Sequence, residues 1–117
     1  MEVSPTGANK FIVRGFANRQ KLMNHWQNGR AHRDEYPEFA TAEEYEAFAV
    51  ELLEMPVGGD ILGHKDGHGN VIRYNRSTND FAKGNPQKGV RTLMRPELGE
   101  AYYWERKKED MEHGGED

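Results

Sequence analysis

Two histidines, His25 and His32 in "NHWQNGRAH", are the side chains of this 117-residue chain best suited to moving protons. An imidazole titrating near neutrality serves as general acid or general base. Arg73 and Arg91, in later strand-like runs, supply fixed positive charge, and Thr92 and Tyr102 supply hydroxyls. Histidine, arginine and a hydroxyl are enough to cleave RNA without a metal. One group removes the 2′-OH proton, arginine stabilises charge on the phosphorane, and a second acid protonates the leaving 5′ oxygen. The competing reading of His25 and His32 is plain solvent exposure.

Other chemistries find less support. There is no cysteine, which excludes disulfides, cysteine zinc sites and thiol nucleophiles. Asp34, Glu35 and Glu38 read as a solvated loop and form no catalytic pair. His64 and His68 bracket a hairpin turn in "GHKDGHG" and read as ordinary surface residues; as metal ligands they lack a third partner. Neither G-x-S-x-G nor H-E-x-x-H is present, and no Gly-rich phosphate loop precedes a helix. No cofactor and no metal is implied.

The elements that must position these groups read as helix, helix, sheet. Phe16 to Gln27 has helical spacing, with Phe16, Leu22, Met23 and Trp26 on one side and His25 on the flank of that stripe. "TAEEYEAFAVELLEMP" is a clearer helix, capped by Thr41 with Glu44 in capping-box position, and striped by Tyr45, Phe48, Ala49, Leu52 and Leu53. Four short runs follow, "DILGHK", "NVIRYN", "NDFAKG" and "GVRTLM", separated by "KDGHGN", "NRSTN" and "GNPQKG". Asp-Gly is a strong hairpin signal, so the runs predict an antiparallel meander. "GEAYYWERKKED" is a last strand or a short helix. The expected fold is α+β, with N-terminal helices on a small twisted antiparallel sheet of about four to five strands. Residues 1–14 read as a disordered lead, 15–108 as one nuclease-like domain and 109–117 as a frayed acidic tail. Tyr45, Phe48, Leu52, Ile72, Phe81 and Leu93 are the expected core.

The formal charge is −4, yet it is unevenly placed. Between residues 70 and 95, Arg73, Arg76, Lys83, Lys88, Arg91 and Arg95 face Asp80 alone. Such a patch is either a footprint for phosphate or the Lys/Arg protection of sheet edges. No run of about 18 apolar residues is present, so no membrane anchor is expected. The first ten residues have no apolar signal-peptide core, so export would need another segment.

The ordered motifs "LMNHW…AHRDEYP", "TAEEYEAFAVELL", "NVIRYNRSTNDFAKG" and "VRTLMRPELGEAYYW" span about Lys21 to Trp104. In that order they resemble the toxin nucleases of the barnase–EndoU–colicin–RelE-like superfamily, which form C-terminal domains of contact-dependent inhibition and other polymorphic bacterial toxins. Similar domains occur in phage head-associated proteins. His25 and His32 match the family's histidine pair, at a spacing of seven where four is usual. Arg73 and Tyr74 match its "RY", Asn79 to Phe81 its "NdF", and Arg91 with Thr92 its "RT". Pro96, Gly99 and Tyr102 match its closing block; Tyr103 stands where the family has Trp, and Trp104 follows one place late. The resemblance implies an endoribonuclease, acting on tRNA, that leaves a 2′,3′-cyclic phosphate and a 5′-OH. His25, His32, Arg73, Arg91, Thr92 and Tyr102 would form the catalytic face, with Arg76, Lys83, Lys88 and Arg95 binding RNA. It also implies a cognate immunity protein, delivery as the C-terminal part of a larger exported protein, and action in the target-cell cytoplasm. A non-catalytic phage-associated or RNA/protein-binding module is the alternative.

Overall fold

The computed structural model describes residues 4–27 and 32–117, with the side chains of His32 and Arg33 outside that description. The chain is α+β. Helices α1 (Arg19–Gln27), the single turn α2 (His32–Glu35) and α3 (Ala42–Glu54) precede strands β1 (Ile61–Lys65), β2 (Val71–Asn75), β3 (Asp80–Asn85) and β4 (Gly89–Met94). Helix α4 (Glu100–Glu112) closes the chain. The four strands form an antiparallel meander in chain order.

The helices are divided between the two faces of the sheet: the sequence placed helices N-terminally and left Gly99–Asp110 as a last strand or a short helix, and it is the helix. On one face, α3 lays Tyr45, Ala49, Leu52 and Leu53 over Val71, Ala82, Val90 and Leu93, all buried. Thr41 caps this helix, its Oγ1 accepting from the Glu44 amide at 3.2 Å. Gly84 lets α3 sit close: a Cβ there would stand 2.9 Å from Leu53 Cδ1. On the other face Ile72, Tyr74 and Phe81 meet Tyr103 of α4, with Tyr102 packed at the edge. The Tyr74 and Tyr103 rings stack at 5.9 Å. The expected core residues are buried, Phe48 partly so.

Both expected loose ends are docked. The lead inserts Phe11 into the core at 1% exposure. Its backbone bonds to Glu54 and Val57 beside it, through Asn9 N to Glu54 O (3.2 Å) and Val57 N to Thr6 O (2.8 Å). Phe16, expected in the first helix, instead forms a parallel bridge to Val90, and Asn18 Oδ1 accepts from Lys21 N to start α1 three residues later. At the other end, Lys65 and Glu116 exchange backbone hydrogen bonds of 2.8 Å, adding a bridge to the edge of β1. Buried His64 accepts at Nδ1 from the Tyr103 hydroxyl (3.0 Å) and donates from Nε2 to Asp110 (2.7 Å). The segment 109–112 is therefore helix, held through His64.

Candidate nucleic-acid interface

The sheet has two ends, and they divide the sequence-predicted site. The β1–β2 and β3–β4 turns share one end; the β2–β3 turn and the start of α4 share the other. A third group lies inside the protein.

Arg73 is the inside case. It is 0% exposed, on the α3 face of β2. Its Nε donates to Met55 O (2.8 Å), Nη1 to Pro5 O and Ile72 O (2.9 Å each), and Nη2 to Gly7 O (3.1 Å). Gly63, opposite it on β1, leaves the room: a Cβ there would lie 2.5 Å from Nη1. Burial lowers the guanidinium pKa to about 10, which leaves it charged at neutral pH. Arg73 therefore ties the lead to the end of α3 and touches no cleft. This corrects the expectation that it lines a catalytic face.

Arg76, Arg95 and Tyr102 are at the second end. Arg76 pairs with Glu100 of α4 at 3.3 Å. Arg95 bonds Asp80 at 3.1 Å, pairs with Glu38, and lies 4.1 Å over the Tyr36 ring. Asp80 is 1% exposed and also accepts from Tyr36 (2.9 Å) and Thr78 (2.6 Å). Asn79 has φ +62, a left-handed turn conformation held by Tyr74 Oη (2.7 Å) and by its own bond to Pro96 O (3.0 Å). The "RY", "NdF" and closing-block positions thus hold loops to the sheet. Tyr102 packs edge-on against Phe81 at 5.0 Å, with Arg106 over its ring.

The remaining candidates gather at the first end, where a cleft of about 610 Å³ lies between α1 and the β3–β4 turn. His25, Lys21, Lys88 and Arg91 reach it over an apolar wall of Phe16 and Val90. Lys21 and His25 are one helical turn apart and so share a face of α1. His25 Nδ1 lies 3.1 Å from the Lys21 carbonyl, and its ring rests on Phe16 at 5.0 Å. A carbonyl oxygen only accepts, so in this contact Nδ1 carries the hydrogen. Arg91 is placed by a bulge. The register passes from Lys83↔Thr92 to Gly84↔Val90, so Arg91 is the extra residue and turns outward.

Lys88 and Arg91 also wall a second, polar notch of about 400 Å³ with Lys83, His68, Asn70 and Asn85. Asp66 organises this notch. It is 4% exposed and accepts from the amides of His68 and Asn70 and from Asn70 Nδ2, each at 2.9 Å. Burial alone would raise its pKa, but these hydrogen bonds and Lys83 at 3.5 Å hold it below the usual value. Asn85 accepts from Gln87 N and Lys88 N and fixes the β3–β4 turn. Among the described residues no carboxylate lies within ion-pair distance of Lys88 or Arg91. Thr92, beside Lys83 in register, is half-buried on the α4 side of the sheet.

The expected gathering of His25, Arg73, Arg91, Thr92 and Tyr102 on one concave face therefore does not occur. His25 and Arg91 meet with Lys21 and Lys88 in the cleft, Lys83 lies in the adjoining notch, and Arg73 and Tyr102 lie elsewhere. The side chain of His32 is outside the described residues. His68 and Lys21 are additions. His64, expected at the surface, is in the core. Among the described residues no three His, Asp or Glu side chains form a metal-ligating group, and no helix is long and apolar enough to cross a membrane. Comparison with family models and with curated proteins finds no match.

Proposed function

We propose that the chain is an endoribonuclease whose own side chains cut RNA in the cleft between α1 and the β3–β4 turn. The observation that carries this reading is the meeting of His25 and Arg91 in one cleft, with Lys88 beside them and His68 across the shared cations. In the proposed reaction His25 Nε2 takes the 2′-OH proton and the 2′ oxygen attacks the phosphorus. Arg91 and Lys88 stabilise the dianionic phosphorane. The P–O5′ bond breaks, and His68 as imidazolium gives its proton to the leaving oxygen. The products are a 2′,3′-cyclic phosphate and a 5′-OH, with no net consumption of water or metal.

The finer parts of the reading rest on the family resemblance alone. They are a tRNA substrate, a cognate immunity protein, delivery within a larger exported protein and action in the target-cell cytoplasm. The test is incubation of the full chain with total RNA in excess chelator. Cleavage leaving cyclic phosphate ends, abolished in Arg91→Ala, supports the proposal. RNA that is bound yet intact supports the non-catalytic binding module instead.

A further inference from the structure

The cleft and the notch differ in character although they share two cations. The larger cleft has an apolar wall, Phe16 with Val13, Ala17 and Val90; the notch has none. Lys88 and Arg91 stand on the boundary between them. The apolar wall is built in. The lead runs beside β4, with Val90 N donating to Gly15 O at 2.8 Å. Gly89, at φ +105, permits this approach, since a Cβ there would lie 2.5 Å from Gly15 O and 3.0 Å from Val13 Cγ1. Phe16 and His25 are fixed against each other, and Phe16 is stacked at 6.2 Å on buried Tyr45.

A polyanion needs only the cations. An apolar wall one step away from a cationic notch needs a ligand that is flat and apolar at one end and anionic at the other. A nucleotide is such a ligand: its base presents a π-face and its phosphate the charge. A paired base in a duplex keeps that face covered by its neighbours, so the ligand must be unstacked.

Building on the nuclease reading, we infer that the cleft takes one unpaired nucleotide, its base lodged against Phe16, Val13 and Ala17 and its phosphate between Arg91, Lys88 and Lys83. Gln87 lines the same cleft and supplies an amide that can read the base edge. The substrate class is then single-stranded or looped RNA, and the apolar pocket is the seat of base preference.

The experiment measures binding of 2′-O-methyl RNA pentamers, which lack the attacking hydroxyl, by fluorescence anisotropy. Four pentamers differ in the central base, and a fifth is abasic at that position. At least one base-bearing pentamer should bind roughly 5-fold or more tighter than the abasic one, because the base moves apolar surface out of water against the wall. Ala17→Leu, at an exposed position and without change of charge, should fill the pocket and remove that difference while leaving abasic binding and the melting temperature unchanged. Equal binding of all five pentamers to the wild type overturns the base pocket and leaves the phosphate site standing. Persistence of the preference in Ala17→Leu also overturns it. A hexaglutamate peptide that competes as well as the pentamers shows a plain anion surface and overturns it too. Binding of none of the five overturns the nuclease reading itself.

Discussion

Replacing Arg73 by methionine should unfold the protein more readily and not merely inactivate it. The guanidinium donates to the carbonyls of Met55, Pro5, Gly7 and Ile72 at 2.8–3.1 Å, with no water-facing surface. Methionine keeps the aliphatic stem and removes every donor. An orphaned buried acceptor costs about 1–3 kcal/mol, and three of the four carbonyls belong to the lead and the end of α3, which the side chain helps to join. Against this, removing a buried cation that has no carboxylate partner relieves a desolvation cost of several kcal/mol. The lead can also regain water by detaching. The balance is a loss of about 2–4 kcal/mol, which lowers Tm by roughly 8–16 °C in a domain of this size. Arg73→Lys should recover only part, since an ammonium is not a planar fork and cannot reach four carbonyls placed around one. The assay is thermal unfolding by circular dichroism, with RNA cleavage measured well below the variant's Tm. If Tm moved by less than about 2 °C while cleavage vanished, Arg73 would be a catalytic group and the structural assignment would be refuted.

Arg91→Ala should lower cleavage by about 10²-fold or more with an unchanged Tm, because the side chain is exposed and its role is charge stabilisation. His25→Ala should cost about as much; full activity in His25→Ala with none in His32→Ala would move the base to His32. Truncation after Lys108 removes Asp110 and the Lys65–Glu116 bridge, and should lower the urea midpoint measurably; an unchanged midpoint would show that the last turn of α4 contributes nothing. For His64, burial outweighs Asp110 and sets the folded pKa below its ordinary value of about 6.5. The unfolded chain then binds more protons below about 6.5 and down to the folded value, so stability falls as pH drops through that window. His64→Asn should flatten that slope in a urea-midpoint series; a slope unchanged by the substitution would assign the acid loss to other groups.

The meander was legible because its turns carry Asp-Gly, Asn and Pro breaks between short apolar runs, and α3 because its stripe and Thr41 cap agree. Helix α4 was not, since only Tyr103 among its 13 residues is buried and one anchor makes no stripe. The lead was missed because, besides the single core anchor Phe11, what holds it is backbone bonding to α3 and to Arg73, which leaves no trace in composition. His64 was misread for a related reason: a histidine beside a turn has the same sequence signature whether Tyr103 and Asp110 cover it or water does. The site was partly legible. The flank position of His25 on α1 does bring its ring to a cleft. Arg91 could not be placed by alternation, because counting by twos from Leu93 sends it inward. The bulge breaks the count, so that Val90 and Leu93 both face α3 and Arg91 faces out. Arg73 shows the opposite hazard. Both faces of β2 are covered, so Val71 to Tyr74 are all buried and the alternation that would have placed an arginine inside gives no contrast.

The concentration of positive charge between residues 70 and 95 has a different meaning once partners are counted. Arg73 is enclosed by carbonyls, Arg76 faces Glu100, Lys83 faces Asp66, and Arg95 is shared between Asp80 and Glu38. A cation with a carboxylate at about 3 Å presents to a distant phosphate the field of a dipole, which falls off faster than that of a charge and is screened within about a Debye length. Lys88 and Arg91 have no such partner among the described residues, and Lys21 approaches them from α1. Four of the six cations therefore hold loops, lead and helix to the sheet, and the long-range attraction comes from the two beside the β3–β4 turn. This is why an acidic chain can still offer a site to a polyanion. Glu38 between α2 and α3, Asp66 in the β1–β2 turn, Asp80 of β3 and Glu100 of α4 neutralise Arg95, Lys83 and Arg76 where they stand, and the turn that carries Lys88 and the bulge that carries Arg91 leave that pair unneutralised.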